Sequence, residues 1–336
     1  MGAEGSEFKS RCPDFFMNTV QSVLPSLTFL HEPGPEYTAQ GDSVTRTFLS
    51  PQFNTPALFD TLVLSAGYTT LTNGWLLTEV QLLQNKVWSP WVKLAFYSKK
   101  LNHSFDAQET DALTLHTDEL HAKVPAQAYR FRLTLHGEME VRYVTVCVTP
   151  AHAPAAAEEI AALPRGEKII KIHPLSQMTL PVPAGEQKRL CSPTSLCMGL
   201  QTLGVAADLV EVARGVYDNQ AEIFGNWTLN TAYASRQEIF ACVTRFHSLQ
   251  EMADCMEKGC LIAATIAYQA GELTGAAVAQ TPGHLVLIAG WKDGKICVAD
   301  PAARTQQDVM RFYDGKEFAR AWLVRKRGAA YIMRKK

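Results

Sequence analysis

The most constraining feature of this sequence is an alternation of apolar and polar residues that runs through much of its first half. Between about Thr45 and Thr149, segments with a period of two are separated by glycine, asparagine and proline; they include 46–50, 61–65, 91–97 and 129–135. A period of two is typical of half-buried antiparallel strands. The punctuation between the segments favours a β-sandwich, so we predict an antiparallel β-sandwich domain over residues 1–150.

The second half mixes helical and strand periods, which indicates an α+β arrangement. Pro193 to Leu203 carries apolar residues on one helical face and stops at Gly204, a residue suited to a helix C-terminus. Ser248-Leu249-Gln250-Glu251 matches a capping box, and its helix should end near Gly259. Strands are expected at 260–268, 284–290, 296–300 and near 330–333.

An alanine-rich stretch flanked by prolines separates the two patterns. It predicts a linker over residues 151–168, with a short helix inside it as an alternative. The chain of 336 residues is long enough for two domains. We therefore expect the division 1–150, 151–168 and 169–336.

Composition excludes several classes of function. The formal net charge is -1, with 47% hydrophobic and 19% charged residues, so no global field favours nucleic acid or anionic lipid. No window approaches the roughly 18 apolar residues of a membrane span, and the N-terminus lacks the pattern of a secretory signal. The eight cysteines lie mostly in apolar runs, which is typical of a reducing compartment. We expect a cytoplasmic protein with no nucleic-acid partner and no membrane span.

Cys191 is the first candidate for chemistry, because it opens the apolar helix predicted above. Unpaired amides and the helix dipole stabilise a thiolate at a helix N-terminus and lower the pKa of the thiol. Pro193 fits the first turn, where its missing N–H costs no hydrogen bond. The alternative is a cysteine that only packs its helix, which is our interpretation of Cys197.

Three further residues could complete a site around this thiol. Gln187 could donate its side-chain amide to an oxyanion, or it could be a solvated loop glutamine. His284 precedes an apolar strand and could act as the base, or it could be a core histidine bonded to backbone. Asp300 ends the next strand and could orient that histidine, or it could be a turn residue before Pro301.

The spacing of His284 and Asp300 carries a geometric prediction. A two-residue turn at Asp293-Gly294 would place Asp300 opposite Leu287. His284, an odd number of residues away, would then point to the other face. If the two side chains meet, we expect a three- or five-residue loop centred on Lys292, or a bulge, instead of the tight turn that Asp-Gly favours.

The C-terminal half resembles the C39-like cysteine peptidase family of the papain-like superfamily. The residues that carry the resemblance are Gln187, Cys191-Ser192-Pro193-Thr194-Ser195, Gly225-Asn226-Trp227, Gly283-His284-Leu285-Val286-Leu287-Ile288-Ala289-Gly290 and Val298-Ala299-Asp300-Pro301. The resemblance implies a papain-like C39-type domain behind the β-sandwich. It also implies Cys191 as nucleophile, His284 as general base, Asp300 as its orienter and Gln187 as oxyanion donor.

One position departs from the family pattern. The family usually has glycine directly after the nucleophilic cysteine, and this chain has Ser192. A side chain at that position could crowd the acyl group or reshape the oxyanion hole. The activity hypothesis is therefore a cysteine hydrolase acting on a peptide or related amide bond. The alternatives are an inactive peptide-binding protein and an acyl transferase that uses the same thioester.

The remaining motifs favour no other chemistry. Cys242, His247, Cys255 and Cys260 match no compact metal-ligand spacing, and phosphate-binding loops are absent, so we expect neither a metal nor a cofactor. In the first half, Trp75, Trp88, Trp91 and Tyr97 could stack on sugar rings or could belong to the core. A carbohydrate or protein ligand of the N-terminal domain is therefore a further hypothesis.

Overall fold

The structure is a computed structural model of the whole chain. It describes residues 24–25, 27–34, 38–42, 44–70, 73–105, 108–151, 162 and 166–336. Most of the predicted linker, and with it the short-helix alternative, lies outside the described residues.

The described residues of the first half form one antiparallel sheet of eleven strands. They are β1 (Thr28–His31), β2 (Thr38–Gly41), β3 (Thr45–Leu49), β4 (Phe53–Thr70), β5 (Trp75–Gln84), β6 (Val87–Trp88), β7 (Val92–Ser98), β8 (His103–Ser104), β9 (Leu113–His116), β10 (Glu119–His136) and β11 (Met139–Pro150). The main path runs β1-β11-β4-β10-β5-β7-β8, and β2, β3, β6 and β9 pair off it.

The long strands β4 and β10 connect the parts of this sheet. Each has eighteen residues, and β10 changes partners along its length, from β9 and β4 to β5 and β3. Register shifts interrupt both strands. The sheet therefore curves around one apolar core that includes Phe59, Tyr129 and Phe131, and the predicted antiparallel β-sandwich is confirmed.

The second half forms an antiparallel sheet of seven strands. They are β12 (Lys168–Ile169), β13 (Ile239–Arg245), β14 (Leu261–Tyr268), β15 (Thr281–Lys292), β16 (Lys295–Ala299), β17 (Met310–Asp314) and β18 (Ala329–Lys335). The order is β13-β18-β14-β15-β16-β17, and β12 pairs with β15. The segments predicted as strands at 284–290 and 330–333 fall within β15 and β18, and those at 260–268 and 296–300 match β14 and β16 to within one residue at each end.

Six α-helices accompany this sheet among the described residues. They are α1 (Ala184–Gln187), α2 (Cys191–Thr202), α3 (Leu209–Val216), α4 (Trp227–Arg236), α5 (Leu249–Glu257) and α6 (Gly315–Ala319). Ser248 caps α5 and accepts a hydrogen bond from Glu251 N at 3.1 Å, whereas the Glu251 carboxylate accepts from His247 N at 2.6 Å, one residue before the partner that a capping box uses. Gly204 and Gly259 follow α2 and α5 with φ of 83° and 87°, as expected for left-handed caps. This α+β half confirms the predicted fold class.

The two halves share a polar and apolar interface. Tyr143 Oη of β11 donates to Ala241 O and accepts from Ala241 N of β13, both at 3.0 Å. Ser65 Oγ of β4 accepts from Val243 N at 3.0 Å. Helix α4 adds Leu229 to the core of the first sheet. Within the described residues, no helix combines the length and the apolar character that a bilayer crossing demands.

Candidate active site

Cys191 is the first residue of α2 and is partly exposed, whereas the next nine residues of the helix are buried. Burial favours the neutral thiol, but three groups oppose this effect. The His284 imidazole bonds to the sulfur and carries charge, and the backbone N–H groups of Leu285 and Ser192 donate to it. Together they hold the pKa of the Cys191 thiol below its usual value, as expected for a thiolate at a helix N-terminus.

His284 and Asp300 form a buried ion pair beside this sulfur. His284 Nε2 lies 2.8 Å from Asp300 Oδ1, which leaves Nδ1 for Cys191. Burial lowers the pKa of His284, but the charge and hydrogen bond of Asp300 and the contact with Cys191 raise it to about 10. The imidazole is therefore held as an imidazolium.

Asp300 is fully buried, and three groups stabilise its charge. Burial favours the neutral acid, but His284, Tyr313 and the Ala302 N–H keep the pKa of the carboxyl below its ordinary value. The Tyr313 hydroxyl donates to Oδ2 at 2.6 Å, and Ala302 N donates to Oδ1 at 2.9 Å. A buried carboxylate with several donors is the arrangement that keeps such a charge inside a protein.

The hairpin between β15 and β16 brings the histidine and the aspartate to one face. It contains the tight turn, with φ of 50° at Asp293 and 75° at Gly294, as type I′ turns require. It also contains a bulge at Ala289, because Ile288 pairs with Val298 while Gly290 pairs with Cys297.

The extra residue of the bulge shifts the register by one, so that His284 and Asp300 point to the same face of the sheet, which the turn alone would prevent. Leu287 now pairs with Ala299, so Asp300 continues the register to Val286, an even number of residues from His284. The bulge is one of the two alternatives that the spacing argument left open. It forms together with the tight turn, where we had expected one or the other.

The Gln187 side-chain amide is hydrogen-bonded to a neighbouring backbone carbonyl. Gln187 Nε2 donates to Leu180 O at 2.8 Å, and the backbone carbonyl of Gln187 accepts from Gln177 Nε2 at 2.8 Å. Gln177 is 2% exposed, and its backbone N donates to Pro301 O at 2.9 Å. Gln177 was not predicted as a site residue, because it lies in the short mixed segment Pro174-Leu175-Ser176-Gln177, which has no helical or strand period.

Ser192 is completely buried. Its carbonyl accepts a hydrogen bond from the Tyr331 hydroxyl at 3.0 Å. The Ser192 side chain is therefore shielded from solvent, and its hydroxyl has no hydrogen-bond partner among the described residues.

The tryptophans of the first half are not open stacking platforms. Trp75, Trp88 and Trp91 are half-buried, and Arg130 and Arg132 lie over the Trp88 and Trp91 rings at 4.4 and 4.5 Å from the centroids. Tyr97 is fully buried. These contacts cover one face of the Trp88 ring and one face of the Trp91 ring, and the carbohydrate hypothesis gains no support.

A thiol at a helix N-terminus that meets a histidine–aspartate pair on an antiparallel sheet defines the papain-like class. Residues 169–330 match the family model described as "Peptidase_C39 like family". The C-terminal half of the chain belongs to this C39-like peptidase family. Residues 30–152 match a second model, described as "Peptidase C39 N-terminal domain". Family and fold together support a cysteine-peptidase type of function.

Three solved structures are similar to about half of the chain. One is a double glycine motif protease from an AMS/PCAT transporter in complex with the leader peptide, at 16% identity, a TM-score of 0.35, and coverage of 52% of this chain and 97% of that one. A protein from Bacillus anthracis described as a C39-like peptidase has 17% identity, a TM-score of 0.38, and coverage of 51% and 98%. The peptidase domain of Streptococcus ComA has 12% identity, a TM-score of 0.34, and coverage of 50% and 99%. No curated protein matches the chain.

Proposed function

We propose that this protein is a cysteine hydrolase that cleaves a peptide or related amide bond through a thioester on Cys191. The observation that carries this proposal is the His284–Asp300 pair, with Nε2 and Oδ1 2.8 Å apart and the imidazole in contact with the sulfur. Nucleophile, base and orienter then have the mutual contacts that acyl transfer requires.

In the proposed mechanism, the thiolate of Cys191 attacks the substrate carbonyl and forms a tetrahedral oxyanion. The His284 imidazolium gives its proton to the leaving amine as the intermediate collapses to the thioester. The neutral imidazole then takes a proton from water, which attacks the thioester and releases the acid. Asp300 stays ionised throughout and holds the ring in place.

The oxyanion needs donors, and we propose the Cys191 backbone N–H together with a glutamine amide. Gln187 is the first candidate; its hydrogen bond to Leu180 O uses one N–H and leaves the second. Gln177 is the rival, because it is buried and its backbone N donates to Pro301 O, next to Asp300. Its side-chain amide likewise uses one N–H, on Gln187 O, and leaves the second. Loss of the true donor should lower kcat on the order of 10²–10³-fold, so Gln187→Ala and Gln177→Ala, assayed separately, decide between them.

The primary test is labelling and turnover. Wild-type protein, Cys191→Ala and the control Cys197→Ala, on the same helix, are treated with a panel of peptide electrophiles and assayed on fluorogenic peptides. We expect labelling and hydrolysis in wild type and Cys197→Ala and neither in Cys191→Ala. A Cys191→Ala protein with full hydrolysis would falsify the proposal.

Two alternatives use the same site. A catalytically weak peptide-binding protein is favoured by the bond between Gln187 and Leu180, which diverts a donor from the oxyanion; uniformly slow alkylation of all cysteines would support it. An acyl transferase would pass the thioester to an amine, and amide products formed with added amines would identify it.

Three broader proposals accompany this function. We propose the domain division 1–150, 151–168 and 169–336, which limited proteolysis would test by cleavage within 151–168. A peptide is the proposed partner. We propose a reducing, cytoplasmic compartment because the seven described cysteines are free thiols, and cell fractionation would test it.

A further inference from the structure

A strongly basic pocket of about 680 Å³ lies where the two halves of the chain meet. Lys99 and Lys100, directly after β7, line it from the first half, and Arg214 of α3 and Arg236 of α4 line it from the second. Among the described residues of its lining, Glu211 supplies the one opposing charge. Both lysines and Arg214 are exposed, so these cations face solvent in a chain whose net charge is only -1.

The turn that carries the two lysines is held against the second half. Asn102 Nδ2 donates to Gly215 O at 3.1 Å, and Asn219 N donates to Asn102 O at 3.0 Å. Within the turn, Ser98 Oγ accepts from Leu101 N at 2.9 Å. The ammonium-bearing segment is therefore fixed before any ligand arrives, which lowers the entropic cost of binding.

Arg214 links this pocket to a groove beside the segment that leads into Cys191. The same side chain also lines this groove of about 480 Å³, which we call the nucleophile-side groove. Its apolar lining includes Leu180, Leu190 and Val210. Leu190 directly precedes Cys191 in the chain, and Arg214 lines both the groove and the basic pocket, so the two cavities share this side chain.

We propose that the substrate is a peptide that places an apolar side chain in the nucleophile-side groove and an acidic segment in the basic pocket. The inference deepens the proposed function and rests on it for the cleavage step, although the binding step can be measured alone. Carboxylates match the four cations, and an apolar side chain matches the groove. A nucleic acid fits less well, because its phosphates call for a long basic stripe, whereas the cations here form one pocket beside an apolar groove.

The proposal assigns a role to the N-terminal half. Lys99 and Lys100 of that half would select the substrate, while Cys191 of the other half would cut it. Specificity for acidic peptides would therefore depend on both halves being present in one chain.

The test uses the Cys191→Ala protein, so that bound peptide is not consumed. Two fluorescein-labelled peptides share an apolar segment, followed by four glutamates in one and four glutamines in the other, and fluorescence anisotropy gives each Kd. We expect tighter binding of the glutamate peptide. Adding Lys99→Gln and Lys100→Gln should weaken that binding roughly tenfold, because each exposed ion pair contributes a few-fold.

The matched control adds Lys86→Gln and Lys295→Gln instead. Both lysines are exposed and lie outside the lining of the pocket, and the change in net charge is the same. We expect Kd for the glutamate peptide to stay within about twofold, as surface charges away from the contact do little in salt. An equal loss in both variants would reduce the effect to overall charge and overturn the proposal.

Two other results would also overturn it. These are equal affinity for the glutamate and glutamine peptides, or full competition by a single-stranded oligonucleotide at the same charge concentration. Failure of the cleavage proposal looks different, because Cys191 of the wild-type protein would stay inert toward peptide electrophiles while charge-dependent binding persisted.

Discussion

Tyr313 donates a hydrogen bond to Asp300 Oδ2 over 2.6 Å, on the carboxylate oxygen that His284 does not use. The phenol comes from β17, two strands away from the histidine in the sheet. Burial and the neighbouring carboxylate raise the pKa of Tyr313, so it remains a donor at all ordinary pH values. Three strands therefore contribute to the orientation of one imidazole.

Replacing this phenol should weaken the pair without removing it. In Tyr313→Phe, Asp300 Oδ2 loses its buried donor, so the pKa of the carboxyl rises and that of His284 falls. We expect kcat to fall roughly tenfold and the free energy of unfolding to fall by about 1–3 kcal/mol. When the rate of Cys191 alkylation is plotted against pH, its rise at the acidic end should shift to higher pH, because a weaker imidazolium lowers the pKa of the thiol less.

Tyr143→Phe provides the control for Tyr313→Phe. It also removes a buried phenol that hydrogen-bonds, but at the interface of the two halves. It should lower stability and leave the alkylation profile in place. A Tyr313→Phe protein whose profile equals that of the wild type would contradict an orienting role.

The ion pair predicts an unusual pH range for the nucleophile. The pKa of Cys191 is lowered and that of His284 is raised to about 10. The thiolate–imidazolium pair therefore exists from the lowered pKa of the thiol up to about pH 10. Iodoacetamide at pH 6 should alkylate Cys191 at least about tenfold faster than Cys197 or Cys297, whose thiols burial holds at a pKa of about 12 and about 11. Hydrolysis should decline as pH rises toward 10, because His284 then loses the proton that the leaving amine needs. Peptide mapping by mass spectrometry after timed alkylation measures the first effect, and equal rates at the three thiols would contradict it.

Asp118 predicts a pH-dependent contribution to stability. It lies in the first half, and its carboxylate accepts hydrogen bonds from the backbone of Trp227 and Thr228 at the start of α4. Burial dominates and raises its pKa from 3.8 to about 7. Between these values the folded protein binds more protons than the unfolded chain, so this group makes stability fall as pH rises from about 4 to about 7.

Asp118→Asn removes that titration while keeping an oxygen for α4. The free energy of unfolding of the variant minus that of the wild type should be larger at pH 8 than at pH 5, because only the wild type loses this contribution as pH rises. Urea denaturation at the two pH values measures the difference. Parallel changes in the two proteins would show that Asp118 does not titrate in this window.

Gly290 predicts a large loss of stability on substitution. Its φ is 144°, and a Cβ would lie 1.7 Å from Lys168 O, so Gly290→Ala must displace β12 from the bulge. We expect a loss of about 2 kcal/mol or more, with slower alkylation of Cys191 because the His284 register depends on this bulge. Gly271→Ala is the matched control, since φ there is 83° but nothing lies within 4 Å, and about 1 kcal/mol should be lost. Equal losses in the two variants would contradict a special role for the bulge.

Local patterns were sufficient for most of the fold. The period of two located four strands of the first half, β3, β4, β7 and β10. Ser248 and Gly259 marked the two ends of α5, because caps and turns depend on residues close in sequence. The path of the first sheet could not be predicted, since it depends on how β4 and β10 change partners between distant strands.

The site was predictable where its geometry follows from parity. The spacing of His284 and Asp300 showed that a bulge or an odd-numbered loop is needed if the two side chains are to meet. It could not show which of the two forms. That choice depends on the close approach of Lys168 to Gly290, a contact between residues far apart in the sequence. The same limit explains Trp88, whose ring is covered by Arg130. Gln187 bonds to Leu180, only seven residues away, but that contact depends on the path of an irregular segment that no periodicity predicts.

The hydrogen bonds between the two halves also cover an edge strand of the second sheet. β13 is the outermost strand on its side of the second described sheet, and an unpaired strand edge is a template for adding another chain. Tyr143 and Ser65 satisfy the outward backbone groups of Ala241 and Val243, and so close that edge with side chains of the preceding half. A fragment made from residue 169 onward would expose the edge, and we expect it to self-associate where the whole chain does not.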